Sequence, residues 1–524
     1  MPKSAVANLR HDFAPNNRRE GTALHEVCAI MRILFLSAEY SKMSRLGIAW
    51  LAGALIANGH EVRYAVALRL GRKGLRELIR TFQPDIIGYS IMSHDYPGHV
   101  ALNRELKREF SFLALFGGIH PTFSPEMIEE DPDCDAVCIG EGEMAFVEFC
   151  RRLEGHEAYW ETPSFWVRHK GRIHKNTLMP LVHDLDALPP PNHSVVYDGD
   201  PFQGSLGGKL FMASRGCPYS CTYCFNVRYR ELYPRETPSV RHRSPRAVVD
   251  EICSVKARYP LLFTGFPDDN FVLRPPGWIE EFSTLYRERV GVPFGCTGRP
   301  EYFTEETIVA LKQAGLILVM LAIECGDERV ANEVLNRNLS NNLILQAAER
   351  TKAHGIRLVL LNMLGMPVEN SFEVDLKTLD LNIQMGASSS MANLIYPWPG
   401  TPIYQYAVDH GFLSPGKPVN PSVRRNSVFT FQSPLEQRKI ENLHKLFDLF
   451  VHFPWLRKHC EFICSLPLTW PYLAVYFMRV AYAQTFRQYP ARFFLPVGSP
   501  REWFSSVFIP ADTSDAMTAP KINR

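Results

Sequence analysis

Three cysteines are the residues in this sequence best placed to do chemistry. In "SRGCPYSCTYCFN", Cys217, Cys221 and Cys224 are spaced as Cys-x3-Cys-x2-Cys. Three thiolates on one short loop can wrap a cluster and hold three irons of a [4Fe–4S] cube. The fourth iron then has no protein ligand, and an open metal position can chelate a substrate. Structural zinc prefers four ligands, and no fourth Cys or His stands near the loop. A disulfide would leave an odd cysteine, and twelve cysteines in 524 residues are far too few for a disulfide scaffold. Most of the others, such as Cys150 and Cys325, lie singly among apolar neighbours and read as small buried hydrophobes. The triad reads as an iron–sulfur site.

Such a loop needs a rigid mount, and the surrounding pattern supplies one. From about Lys209 to Pro415, strand-like runs at Leu210–Ser214, Leu261–Thr264, Pro293–Thr297, Leu316–Ile323, Arg357–Met363 and Ser389–Tyr396 alternate with helical segments. The helices are expected at Pro245–Tyr259, Glu305–Ala314, Asn342–His354 and Phe372–Met385. Six βα units in succession predict a partial (β/α)6 barrel over 206–415, with site residues at the carboxyl ends of its strands. The triad directly follows the first of them.

Upstream, a second alternating region covers 31–153. Its strands are expected at Ile33–Ser37, Val62–Ala67, Asp85–Ser90, Leu113–Phe116 and Ala136–Ile139, with helices at Leu46–Asn58, Leu75–Phe82, Gly98–Phe110 and Glu143–Leu153. This is the pattern of a doubly wound parallel α/β sheet, whose ligands bind beyond the strands' carboxyl ends. There the chain carries "GGIHPT" and "GEGE", so Gly117, Gly118, Gly140, Glu141 and Gly142 are candidate ligand contacts. Glycines permit close backbone approach, and they equally make tight βα turns. Residues 154–205, with Pro189 to Pro191, read as a linker. Residues 1–30 read as a disordered extension, and Met31 opens the first strand as a natural start.

At this point the sequence resembles a known family. Cys-x3-Cys-x2-Cys with Tyr223 before the third cysteine is similar to the signature of radical S-adenosylmethionine (SAM) enzymes. "GFPDDNF" (Gly265 to Phe271), "LAIECGDERV", "LLNMLGMPVEN" and "YPWPGTPIY" resemble later segments of the same family in the same order. The resemblance implies Asp268, Asp269, Glu324 and Gly365 near SAM, with Arg299 either there or in an ion pair. The upstream sheet resembles the cobalamin-binding domain of the cobalamin-dependent class. That class usually carries Asp-x-His-x-x-Gly after the first strand, whereas "SAEYSKMSRLG" has no His, and His94, His99 and His120 lie on later loops. The resemblance thus implies a [4Fe–4S] cluster, SAM and cobalamin, the last with no histidine on cobalt. It implies reductive cleavage of SAM to a 5′-deoxyadenosyl radical and, with an external low-potential electron donor, methylation of an unactivated carbon or phosphinate phosphorus. Radical cyclisation, as in the anaerobic magnesium-protoporphyrin monomethyl ester cyclase, is the alternative; a non-catalytic iron–sulfur protein is a remote one.

Composition narrows the remaining possibilities. A net charge of +2 gives no global argument for nucleic acid. There is no run of ~18 apolar residues for a membrane span and no apolar signal core, so a cytoplasmic enzyme is expected. Residues 416–524 hold fourteen Lys/Arg against seven Asp/Glu and are dense in aromatics. A mainly helical region is expected there, either capping the barrel over a hydrophobic or planar small-molecule substrate or touching a membrane surface.

Overall fold

The computed structural model describes residues 30–39, 45–414 and 426–482. The expectation for residues 1–30 falls outside this range except at Ile30. Two sheets organise the chain. The first has seven strands in the order β2-β1-β3-β4-β5-β6-β7. Strands β1 (Arg32–Ser37), β2 (Glu61–Val66), β3 (Ile86–Ser90), β4 (Leu113–Gly117) and β5 (Ala136–Cys138) are mutually parallel. β1, β3, β4 and β5 are near-continuous apolar runs because helices cover both faces, whereas the edge strand β2 turns Glu61 and Arg63 to solvent. The expected strands are all present to within a residue or so at each end. The second helix starts earlier than its amphipathic pattern suggested: it runs Ala67–Phe82 across a kink at Gly71, whose φ is 65°.

Residues 154–205 are not a bare linker. β6 (Phe165–His169) and β7 (Arg172–Lys175) form a hairpin that joins β5 antiparallel and extends the first sheet. The short hairpin alternates weakly, which hides it beside the prolines. Beyond it, helix His193–Gly199 packs on β2 and on helix Leu46–Ala57. The proline segment itself is held tightly: a Cβ on Gly53 would lie 2.2 Å from the Pro190 carbonyl oxygen, and Asn192 N–H donates to the Ala49 carbonyl at 2.8 Å.

The second sheet is a curled half-barrel of six parallel strands, β8 (Gly208–Leu210), β11 (Phe263–Phe266), β12 (Phe294–Gly298), β13 (Leu316–Glu324), β14 (Arg357–Leu364) and β15 (Ser389–Leu394), in chain order across the sheet. Its first strand is shorter than expected, because the chain leaves the sheet after Leu210 and Ser214–Arg215 (β9) pairs instead with Arg241–His242 (β10). Helices enter this layer through capping side chains: Ser244, Thr304 and Ser340 each accept the N–H three residues on. Lys209 on β8 is fully buried, donating to the Gln203 and Gly204 carbonyls, and ties the connecting segment to the barrel.

The C-terminal region is helical, as expected. Helix Pro434–His452 lies against β15 and helix Ser371–Met385, followed by Cys460–Ser465 and Thr469–Tyr482. Residues 415–425 and 483–524 fall outside the described range. Among the described residues, no helix is long and apolar enough to cross a membrane.

The close seat of the proline segment yields a prediction. Gly53→Ala has to displace backbone rather than a flexible side-chain end, so it is expected to destabilise the first domain by roughly 1–3 kcal/mol in denaturant unfolding. Unchanged stability would mean that the Pro190 contact is loose.

Candidate cluster and cofactor site

The cysteine loop is built as a fixed mount. Gly216 has φ 89°, and a Cβ there would come within 2.2 Å of the Ser239 carbonyl oxygen, so only glycine lets the chain turn under that segment. Arg230 donates to the carbonyls of Cys217 (3.2 Å) and Pro218 (2.6 Å) and to Ser220 Oγ (2.9 Å). Thr222 ties the loop to the barrel, its hydroxyl donating to the Val334 carbonyl at 2.7 Å and its N–H to that of Leu335 at 3.1 Å. Cys224 N–H donates to the Cys221 carbonyl at 3.0 Å, closing the last turn.

The three thiols are mutual electrostatic neighbours. Burial pushes Cys217 up and Cys224 up to about 11. Without metal these two thiols would therefore stay protonated, and metal loading would release their protons. Among the described residues, no three His, Cys, Asp or Glu side chains converge on a single metal ion. The triad is not a preformed mononuclear site. Its surroundings favour negative charge: Arg299 and Arg337, both almost fully buried, direct Nη1 at Cys221 Sγ from 3.8 and 4.0 Å. Two desolvated guanidiniums beside one sulfur fit a thiolate bound to iron.

Several of the expected SAM residues come to this loop. Asp269 lies near Cys217 and Cys224, and burial raises its carboxyl, opposed by bonds from Asn226 and the Gly216 backbone. Glu324 ends β13 beside Tyr223, Arg337 and Arg299, and burial raises it too. Its φ of 69° is left-handed, a strain of roughly 1–3 kcal/mol for a non-glycine residue that aims its carboxyl toward the cluster loop. Arg299 makes the ion-pair alternative, with Glu301 at 2.5 Å, but in a buried place and not on the surface, and its guanidinium also stacks 3.6 Å over the Tyr219 ring.

Asp268 and Gly365 do other work. Both Asp268 oxygens are spent on Ala213 N–H (3.2 Å), and one also meets Ser214 Oγ (2.6 Å) and Arg274 (2.8 Å), stitching β9 to the end of β11. Gly365 donates its N–H to Asp375 at 3.0 Å, and a Cβ there would lie 3.1 Å from Ile440, so it seats the C-terminal helix.

The glycine loops of the first sheet divide likewise. A Cβ on Gly118 would meet Ile91 backbone at 2.8 Å, and one on Gly140 would lie 2.2 Å from Tyr233 Oη. Gly117 and Gly142 have only side-chain neighbours at such a position. Glu141 is an interdomain clamp: it pairs with Arg215 at 3.0 Å and with Arg241, while Arg215 also holds Glu143 at 2.7 Å. Burial pushes Glu141 up, but the two arginines outweigh it and hold the carboxyl below its ordinary range. His99 is structural, with Nδ1 donating to the Asp95 carbonyl at 2.7 Å and Nε2 accepting Ala38 N–H at 3.1 Å. His120 differs: Nδ1 meets Ser93 Oγ at 3.1 Å, but Nε2 is buried without a partner. That orphan, at the strand end where a ligand of this sheet would sit, fits a polar group arriving from a bound cofactor.

Between Glu141 and the cysteine loop lies a cavity of about 950 Å³, lined by Arg215, Gly216, Asn226, Tyr229 and Asp269 among others. Glu141 is the first domain's contribution to its lining. Sequence reasoning missed Arg337, Tyr229 and Arg230; for Arg337 a signal was available, since Asn336-Arg337-Asn338 places two left-handed asparagines (φ 52° and 53°) around one arginine.

Comparison with known proteins now bears on this geometry. Residues 32–150 match the B12 binding domain and residues 212–377 the radical SAM superfamily. The chain belongs to the cobalamin-binding radical SAM family. It is 25% identical over 379 residues to an uncharacterized methyltransferase of Pyrococcus horikoshii, covering 70% of this chain and 79% of that one. It is 24% identical over 401 residues to the anaerobic magnesium-protoporphyrin IX monomethyl ester cyclase of Rubrivivax gelatinosus, covering 72% and 70%. In fold it is similar to the cobalamin-dependent SAM radical enzyme OxsB, solved with aqua-cobalamin bound, at a TM-score of 0.66 and 14% identity over 91% of this chain and 78% of that one.

The clamp of this radical SAM chain predicts acid sensitivity. The folded-state pKa of Glu141 is depressed, so its contribution is present at neutral pH and lost as pH falls through that lowered value. Glu141→Gln is expected to cost roughly 2–4 kcal/mol at pH 7, because it leaves buried arginine charge uncompensated. The difference from the parent should shrink below about pH 4. Unfolding by urea at several pH values tests it; a pH-independent difference would assign Glu141 a packing role only.

Proposed function

We propose that this protein uses a [4Fe–4S] cluster, SAM and cobalamin to methylate an unactivated carbon, or a phosphinate phosphorus, of a hydrophobic or planar small molecule. The observation that carries the reading is the cavity beside the cysteine loop, lined by Gly216, Ser220 and Asp269 on the barrel side and reached by Glu141 of the B12-binding domain. Bound together, the three groups supply a low-potential electron, a 5′-deoxyadenosyl radical and a transferable methyl group.

The chain's own residues do the holding. Cys217, Cys221 and Cys224 would ligate three irons, and the fourth would be left for the amino acid end of SAM. Arg299 and Arg337 offset the sulfur's negative charge at Cys221. Asp269 and Glu324, whose carboxyls stand beside the loop, would accept hydrogen bonds from SAM's amino and ribose hydroxyl groups. Tyr229, Tyr233 and Arg215 close the cavity on the first domain's side and exclude water, which a radical reaction requires more than it requires an acid or base. Gly117, Gly118 and His120 support a cobalamin seat at the first sheet's strand ends. The electron would come from an external low-potential donor. We place the chain in the cytoplasm, a reading supported by the free state of all cysteines among the described residues.

The methyltransferase relative favours methyl transfer, and the cyclase relative supports radical cyclisation as the second reading. Product analysis separates them. Anaerobic protein given reductant, SAM and cobalamin is expected to release 5′-deoxyadenosine and S-adenosylhomocysteine, the latter only with cobalamin present. 5′-Deoxyadenosine alone would favour cyclisation. Cys221→Ala should lose iron loading and both products.

A further prediction concerns cobalt. With His99 engaged at both ring nitrogens and no histidine after β1, bound cob(II)alamin should show no nitrogen splitting in its EPR spectrum. A nitrogen triplet would instead mean that a side chain, His94 or His120, or the cofactor's own base ligates cobalt.

A further inference from the structure

The C-terminal helices carry an apolar surface that the catalytic reading does not use. In helix Cys460–Ser465 both cysteines are buried, which turns Phe462, between them, outward at 67% exposure. In helix Thr469–Tyr482, Tyr472 and Leu473 face inward, so Trp470, Ala474, Phe477 and Met478 form an outer stripe at i, i+4, i+7 and i+8. Trp470 is 80% exposed and Met478 61%. Trp455, on the turn before these helices, is 66% exposed. The pieces adjoin: Tyr472 Oη donates to the Ile463 carbonyl at 2.8 Å, and Arg438 donates to that of Ser465 at 3.5 Å. A helix this apolar all round is ordinarily covered.

Charge decides what covers it. Over residues 454–482, Glu461 is the single acidic residue against Arg457, Lys458 and Arg479. Arg457 and Arg479 are neutralised by Asp380 and Asp448, but Lys458 and Arg438 are exposed, with no ion pair among the described residues. The chain's own remaining segment, 483–524, holds five Lys/Arg against three Asp/Glu and so does not complement the patch's positive charge. A second copy would likewise set positive charge against positive charge. Tryptophan and phenylalanine beside unpaired lysine and arginine match the boundary of an anionic bilayer, where rings sit at headgroup depth and cations meet phosphate.

We propose that this face seats on an anionic phospholipid surface, with Trp455, Phe462, Trp470 and Met478 entering the headgroup boundary and Lys458 and Arg438 facing lipid phosphates. The protein would then sit on the membrane without spanning it, in position to take a lipid-soluble substrate. The inference does not depend on which reaction the cavity performs.

The test uses the full chain, cluster-loaded and anaerobic, with vesicles of equal parts phosphatidylglycerol and phosphatidylcholine. Cosedimentation with these vesicles, weakened by salt and by omission of phosphatidylglycerol, is expected, together with a blue shift of tryptophan emission. Trp455→Ser/Phe462→Ser/Trp470→Ser should weaken partitioning at least about tenfold. Arg438→Glu/Lys458→Glu should weaken it for anionic vesicles while iron content and unfolding stay at parent values. Partitioning unchanged in both variants, or absent in the parent, would overturn the proposal. So would light scattering that shows a dimer abolished by the triple substitution, which would assign the face to a second copy.

Discussion

Everything about the site depends on a small group of charges taken out of water where the two sheets meet. Glu141 comes from the loop after β5, Glu143 from the first turn of the helix that follows it, Arg215 from β9 and Arg241 from β10. Charges at such depth are tolerated only when each is paired, and here each carboxylate is met by a guanidinium from the other domain. Trp50 adds a ring face 4.7 Å from Arg215. The result is directional: ion pairs with fork geometry fix distance and angle, where an apolar interface would fix only proximity. The two halves of the cavity are therefore registered to each other by the same residues that line it.

The second organising device is backbone, not charge. The cysteine loop turns at Gly216 beneath Ser239, the Gly140 turn passes under Tyr233, and Glu324 adopts a left-handed conformation where β13 shifts register against β14. Each is a place where local preference gives way to tertiary demand, and all three face the cavity or the cluster loop. This is the expected distribution of strain: it collects where a ligand has to be held and is compensated by the packed strands behind it.

Much of the architecture was legible because its signals are periodic. Buried parallel strands read as apolar runs, and several helices of the barrel carry Ser or Thr at their starts. What failed to read was what those signals do not encode. The β6–β7 hairpin is short and half-exposed, so its pairing with β5 is decided by tertiary contact. Asp268 and Asp269 are adjacent and chemically alike and both line the cavity, yet one spends its oxygens on Ala213, Ser214 and Arg274 while the other lies beside Cys217 and Cys224. Glu141 and Gly365 are motif positions whose structural partners, Arg241 and Ile440, lie 100 and 75 residues away. The cysteine triad needed no such partner, since its chemistry is written in one loop.

The hairpin that replaces the expected linker also changes how the first sheet ends. A five-stranded parallel sheet would expose the backbone groups of β5, a short and fully buried apolar strand, as a template for another chain. β6 takes up those groups, and the new edge, β7, is only four residues long and carries Arg172 and Lys175 at its two ends. At the opposite edge, β2 is covered by the helix His193–Gly199. A segment that joins two catalytic layers thus also guards the sheet against edge-to-edge association. That protection matters most while the barrel is still incomplete.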